Sequence, residues 1–329
     1  MNRRVVITGG NGFIGSHITD FFLGRGVDIH HPDSRTLDIL APIALRAAFC
    51  GVDTVIHNAA LVADWGQRER FFQINVEGTK NVLAACLETR VRHVIMTGSC
   101  SVFGEEHHPA PKDEAHPKKS HYSYFLDRVF PSAMNHYRDS KRDAVLEAIA
   151  FAKAHTMNLT LLHPVWVYGE REFHTGFYEY LKTVQGGVPA IMGCTDNLFH
   201  VIYAGDLAAA YYALFERAPQ GVREYLIGNP EPVHMDTLYR LFCAHAGLQK
   251  PPNLPKALVY PVAFLLELAA MLLRRGHPPL LTRSRVNMFY DSIAYCTEKA
   301  RRELGFTPHV TLEEGIAKTV HWYQEKGLL

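Results

Sequence analysis

Three tyrosines stand four residues ahead of a lysine: Tyr137 and Lys141 in YRDSK, Tyr178 and Lys182 in YEYLK, Tyr295 and Lys299 in YCTEK. On a helix, positions i and i+4 share a face, so each pair sets a phenol beside an ammonium. A free phenol titrates near pH 10, and a neighbouring cation lowers that value by stabilising the phenolate. The group then becomes able to carry a proton to or from a substrate oxygen. At most one of the three pairs can do so. With 15 tyrosines in 329 residues, the spacing alone selects none of them.

A second chemical signal is TGGNGFIG, Thr8 to Gly15, lying between the strand-like VVITG and the first helical run. Gly9 suits a tight turn, Gly12 lets the backbone approach a pyrophosphate, and Gly15 lets the helix pack on the strand. Phe13 and Ile14 complete the turn. The phosphates of a dinucleotide would sit on the free N–H groups of the helix start. Asp33 follows the second apolar run, where a carboxylate can accept both ribose hydroxyls and repel a 2′-phosphate. That favours NAD. Arg35, two residues later, could hold the phosphate and leaves NADP open.

The elements that must carry these residues alternate between short apolar runs and longer amphipathic ones. The strand-like runs are 5–9, 27–31, 54–60, 91–99 and 159–169; helices are expected after Asn11, over 42–50 and 68–88, and from about Tyr137. Strand and helix in turn predict an α/β fold, a doubly wound parallel sheet covered on both faces. Beyond Tyr168 the pattern loosens into a smaller C-terminal substrate-binding cap, with FHVIY (199–203) and REYLIG (223–228) as further strand candidates. The expected division is 1–165 for the dinucleotide and 166–329 for substrate, with about 199–228 returning to the first part.

Composition narrows the partners. The 34 basic and 33 acidic side chains nearly cancel, which leaves no global field to attract nucleic acid. Six cysteines lack any C-x-x-C spacing, and 19 histidines lack H-E-x-x-H or a paired Cys/His pattern, so no metal is expected. No apolar signal segment precedes VVITG, and the expected location is cytoplasmic.

These motifs resemble the extended short-chain dehydrogenase/reductase family along nearly the whole chain. LDI (37–39) is similar to the family's adenine-contacting segment, with Asp38 and Ile39 as the pair. GVDTVIHNAA (51–60) matches the strand that ends under the cofactor, at Ala59 and Ala60. NVEGT (75–79) matches the helix with a structural asparagine. TGSCSVFG (97–104) matches the strand ending in a catalytic hydroxyl, here Ser99. The resemblance implies a Rossmann-type half that binds NAD(P), and its order of motifs chooses among the tyrosines. Only Tyr137 and Lys141 lie between the serine strand and the His163–Pro164 strand end, where Pro164 would adjoin the nicotinamide. Ser99, Tyr137 and Lys141 are therefore the expected catalytic set, with Tyr137 and Lys141 also touching cofactor and Ser99 also holding substrate.

Departures from the family pattern bear on substrate. Sugar-nucleotide epimerases and dehydratases of the family typically carry R-x-x-N before Y-G in the late strand. This chain reads HPVWVYG, with His163 for the arginine and an apolar Trp166 for the asparagine. Trp166 is either core or part of a substrate pocket. ADWG (63–66), FHVIYAGDLA (199–208) and GNPEPV (228–233) resemble the 3β-hydroxysteroid dehydrogenase branch. The expected enzyme is an NAD(P)-dependent oxidoreductase that interconverts a secondary alcohol and a ketone on a small apolar substrate, sterol-like or long-chain β-hydroxy. The alternatives are a sugar-nucleotide epimerase or dehydratase, and a non-catalytic dinucleotide sensor.

The run ALVYPVAFLLELAAMLLRR (257–275) is too short and interrupted for a membrane span. It suits either a buried cap helix or peripheral membrane contact. HYSYFLDRVF (121–130), inside a long connection over 104–136, could close over substrate or be an inert insertion. A homodimer is left open.

Overall fold

The computed structural model describes residues 3–172 and 176–329; Met1 and Asn2, the start of the run read for a signal segment, lie outside them. Strand β1 (Val5–Thr8) is buried at every position, as a β-branched run flanked by helices on both faces requires. It leads through the glycine turn into α1 (Phe13–Leu23), then β2 (Ile29–His30), α2 (Pro42–Phe49) and β3 (Thr54–His57). The helix expected over 68–88 is interrupted. It runs as α3 (Arg68–Phe72), a wider π turn over Gln73–Glu77, and α4 (Gly78–Glu88). The π turn contains Asn75, and such turns recur where a helical residue is needed for another task.

Next come β4 (His93–Thr97), the connection over 104–132, α5 (Ala133–Ala154) and β5 (Leu159–Pro164). The apolar run 159–169 is two strands rather than one. The Val165 N–H donates to Ile227 O, whereas the Trp166 N–H donates to His200 O, so the chain leaves one sheet for another within a residue. Thus β6 (Trp166–Tyr168) begins the second layer. It is followed by α6 (Phe177–Gln185), β7 (Ile191–Met192), β8 (Leu198–Phe199), β9 (Val201–Tyr203) and α7 (Ala204–Arg217). Then β10 (Val222–Ile227) pairs with β5, before β11 (Val233–His234), α8 (Met235–His245), β12 (Asn253–Leu254) and α9 (Lys256–Leu272). The chain ends with α10 (Arg283–Tyr290), α11 (Glu298–Leu304) and α12 (Leu312–Glu325).

The main sheet has six parallel strands in the order β10-β5-β4-β3-β1-β2. Chain order reverses at β1, with β2 on one side and β3 on the other. Open α/β sheets bind ligands at such a reversal, outside the carboxyl ends of the strands. One apolar core lies on this sheet and a second, rich in aromatic rings, lies between α6, α8, α10 and α12. In the second core Phe177 stacks on Phe242 and Tyr180 on Tyr239, with centroids 4.6 and 3.8 Å apart. No helix of the described residues is long and apolar enough to cross a membrane.

Candidate active site

The glycine turn lies at the reversal point. Gly9 has φ +71°, and a Cβ there would come within 2.8 Å of Ala59 Cα, so only glycine lets β1 and β3 end against each other. A Cβ on Gly15 would stand 2.0 Å from Gly9 O. At Gly12 the nearest atom to such a Cβ is 3.4 Å away, which leaves that side of the turn open. Gly12 is also the N-cap of α1, with no side-chain cap and no acid in the first turn. These residues fit a pyrophosphate, because the N–H groups of α1 beside Phe13 and Ile14 are uncapped where an anion would approach.

At the adenosine end, Asp33 Oδ1 accepts the N–H groups of Arg35 and Thr36 at 2.9 and 2.8 Å. Bonds from the Thr36 backbone and hydroxyl, then from the Arg35 N–H, hold its carboxyl below the usual range. It is therefore anionic at neutral pH and about a third exposed at its side chain. Arg35 Nε lies 3.8 Å from its second oxygen and is almost fully exposed. Asp38 is exposed and accepts the Leu40 N–H, while Ile39 is buried against Gly78 of α4. The Ile39 side chain is thus taken up in packing, and its carbonyl accepts the Asn81 amide at 3.1 Å.

A polar relay fixes the floor. Thr79 donates to Asn75 O at 2.6 Å, so it accepts the His57 Nε2–H at 3.0 Å, and His57 Nδ1 accepts the Thr8 hydroxyl at 2.9 Å. Burial, with the Lys141 charge adding, lowers His57 to about 3, consistent with this neutral form. Thr8 Oγ1 in turn accepts the Ala59 N–H, leaving Ala59 and Ala60 half-buried at the end of β3. Asn75 clamps Leu61 through both backbone groups, at 2.7 and 3.1 Å, and donates to Ser140 of α5 at 2.9 Å. That bond joins the loop under the cofactor strand to the helix carrying Tyr137.

Ser99 is the half-buried residue just past β4, and its hydroxyl bonds with Ser101 Oγ at 2.8 Å. Tyr137 and Lys141 lie on the inward face of α5, 9% and 4% exposed. Burial pushes the Tyr137 phenol up to about 12, against the lowering pull of the Ser99 hydroxyl. Burial also pulls Lys141 down to about 8. The spacing argument has the Tyr137 value lowered by Lys141; here burial raises it instead. Lys141 Nζ donates to Thr97 O at 2.8 Å, so its charge is directed at the β4 carbonyl rather than the phenol. Thr97 Oγ1 donates to Asn58 Oδ1 at 2.9 Å, and Asn58 donates to Gly9 O at 3.4 Å, linking the lysine to the glycine turn.

The competing tyrosines are engaged elsewhere. Tyr178 donates to Leu328 O in the second layer, and Tyr295 is buried with its hydroxyl donating to Gly104 O at 2.9 Å. Burial drives Tyr295 well above the ordinary phenol range. Pro164 closes β5 opposite Ile227. His163 is fully buried beneath Gly98, where its Nδ1 accepts the Ser99 N–H at 3.3 Å. Its Nε2–H therefore donates to Glu224 at 3.1 Å, and Glu224 also pairs with Lys118 at 3.0 Å. Burial lowers His163 against the pull of Glu224. Trp166 is half-buried, with its ring against Phe177 and Phe199 at 6.5 and 5.4 Å.

Several partners escaped the sequence. Arg138, one residue after Tyr137, is buried and bonded to Glu105 and the Tyr124 hydroxyl. Tyr122 stacks on Tyr124 and donates to Asp291 at 2.6 Å. The segment 121–130 is therefore anchored between α5 and the second layer. Arg283, 1% exposed, bonds Glu267 of α9 and the carbonyls of Phe125 and Phe130. The apolar spacing of α9 signals a buried face, but nothing local signals a cation sixteen residues on. No group of three or more His, Cys, Asp or Glu side chains among the described residues could hold a metal ion.

The profile of the NAD dependent epimerase/dehydratase family matches residues 5–228. A 2-alkyl-3-oxoalkanoate reductase of Stenotrophomonas maltophilia is 28% identical over 96% of this chain and 98% of its own. The decarboxylating sterol-4-alpha-carboxylate 3-dehydrogenase of Mus musculus is 26% identical over 97% of this chain and 90% of its own. Among solved structures, the Thermus thermophilus UDP-glucose 4-epimerase complex with NAD superposes with a TM-score of 0.73. It is 20% identical and covers 98% of this chain and 99% of that one.

Proposed function

The chain belongs to the NAD dependent epimerase/dehydratase family, in its extended short-chain dehydrogenase/reductase form, and from that premise we propose how it works. It is an NAD(P)-dependent oxidoreductase that interconverts a secondary alcohol and a ketone on an apolar substrate, as the names of its reductase and sterol dehydrogenase relatives suggest. Bound NAD(H) supplies the hydride chemistry. In our reading Ser99 holds the substrate oxygen and Tyr137 exchanges a proton with it. Lys141 holds the Thr97 carbonyl and, through it, the approach to the glycine turn. A phenol pushed up to about 12 carries its proton at neutral pH and can donate it to a ketone oxygen. In this reading 166–329 supplies the substrate-binding cap, while within about 199–228 α7 and β10 return to the core of the main sheet, joined by α11.

One observation carries the choice of substrate class. His163 stands where the sugar-nucleotide enzymes place an arginine, and here it is buried, uncharged and committed to the Ser99 N–H and Glu224. It has no charge to offer a diphosphate, whose recognition relies on charge-assisted bonds. Trp166, among Phe177 and Phe199, adds apolar surface at the same strand end. The test is Tyr137→Phe, assayed by nicotinamide absorbance with a long-chain 3-keto acid. Turnover should fall on the order of a hundredfold or more while NADH still binds. Full activity in this variant rejects the assignment.

A further inference from the structure

On α9 the exposed and buried residues fall on opposite faces. Leu258, Val262, Leu265, Leu266, Leu272 and Leu273 are 40–71% exposed. At about 100° per residue they occupy a sector of about 120°. Val259, Ala263, Glu267 and Ala270 point the other way and are buried. The sole acid of the helix is thus withdrawn from the exposed face and neutralised by Arg283. A helix that buries one apolar stripe and leaves a second to water has an unmet partner.

The stripe extends onto the neighbouring connection. Phe125 meets Phe264 of α9 edge-on at 5.5 Å, and its N–H donates to the Tyr260 hydroxyl at 3.3 Å. Phe125, Leu126 and Val129 are all strongly exposed there. Cations frame this surface: Arg128 beside Val129, and Arg274 with Arg275 at the end of α9. All three are exposed, and none has an ion-pair partner among the described residues. At the same end Trp65 donates its indole N–H to Arg275 O at 2.9 Å. Trp65 belongs to the loop that leaves β3, so this end of the surface is tied directly to the floor of the site.

We propose that the outer stripe of α9 and the 125–129 turn dock on an anionic lipid bilayer, with the apolar side chains in the interface and Arg128, Arg274 and Arg275 on lipid phosphates. A convex helical ridge suits a bilayer surface. A second copy would bring further arginines and no exposed acid from this patch, because an isologous contact presents the same surface twice. Anionic headgroups supply the missing charge. The inference rests on the apolar-substrate reading for its purpose, since such a substrate would partition into the same bilayer. Its test needs no substrate.

Flotation of the full chain with vesicles of phosphatidylcholine alone, and of phosphatidylcholine mixed with phosphatidylserine, reads the docking directly. Wild type should float with the mixed vesicles and much less with the neutral ones. Leu265→Glu should lower binding tenfold or more, and Arg274→Ala and Arg275→Ala by about fivefold each. All three variants should bind NADH as wild type does, which shows that they are folded. Wild type that fails to float with mixed vesicles overturns the proposal, as does Leu265→Glu floating like wild type. A dimer in sedimentation that Leu265→Glu converts to monomer, without vesicle binding, assigns the stripe to a second copy instead. Vesicle binding by a protein inactive on every apolar alcohol would uphold the docking while refuting the proposed substrate.

Discussion

Replacing both members of the Arg283–Glu267 pair should destabilise the protein far less than the two single replacements sum to. Glu267 accepts the Arg283 backbone N–H at 2.8 Å, Nε at 2.9 Å and Nη2 at 3.1 Å, and both residues are 1% exposed. Arg283 also donates to Phe125 O at 2.6 Å and Phe130 O at 2.7 Å. Glu267→Leu leaves a buried guanidinium with only those two carbonyls, at a cost of about 3 kcal/mol, the low end for a broken buried pair. Arg283→Met leaves a buried carboxylate with one backbone donor and strips both carbonyls, and should cost about 5 kcal/mol. The double variant removes both charges and leaves the two carbonyls and the backbone N–H of residue 283 unpaired, for about 3 kcal/mol. Urea unfolding of the four proteins closes the cycle. The single costs together should exceed the double by several kcal/mol, and Arg283→Met should be nicked by protease within 125–130. Single effects that sum to the double within about 0.5 kcal/mol would refute the claim that the pair acts as one unit.

Asp33→Ala should narrow a preference for NAD(H) over NADP(H), because the anionic carboxyl repels a 2′-phosphate; titration with both cofactors checks it, and a wild-type preference for NADP(H) would assign the ribose end to Arg35. Ketone reduction should weaken as pH rises through about 8, where Lys141 loses the proton it donates to Thr97 O, while Tyr137, near 12, keeps its own. A flat rate profile from roughly pH 7 to 10 would show that the ammonium is dispensable. Tyr178→Phe and Tyr295→Phe should retain turnover, although loss of the Gly104 bond should cost Tyr295→Phe about 1 kcal/mol of stability in thermal or urea unfolding.

The parallel sheet was legible because its four central strands, β1, β3, β4 and β5, are buried at every position and read as mostly apolar runs. The glycine turn was legible because its requirements are backbone requirements: Gly9 and Gly15 are excluded from bearing side chains by Ala59 and by Gly9 itself. Where the chain changes partners, the pattern is silent. VWVYG continues the apolar run of β5, yet hydrogen bonding moves to His200 at Trp166 and creates β6. The interruption of 68–88 was hidden likewise, since the side chain of Asn75 answers to Leu61 and Ser140 rather than to its own helix. Glu267 reads as a break in an apolar stretch until Arg283 is seen beside it. The effect of Lys141 on Tyr137 was argued from i, i+4 spacing, which fixes the face and not the direction of a four-carbon side chain. Its ammonium reaches Thr97 O instead.

The central claim is that the site binds and reduces an apolar ketone, and chain-length dependence tests it most directly. Each methylene buried from the substrate contributes about 0.8 kcal/mol, so kcat/KM should rise about fourfold per carbon along a homologous series of 3-keto acids until the pocket is full. Nicotinamide absorbance, with UDP-glucose assayed alongside, provides the measurement. A rising series with no turnover of the nucleotide sugar is the predicted result. Turnover of UDP-glucose, with no activity anywhere along the keto-acid series, would contradict the account.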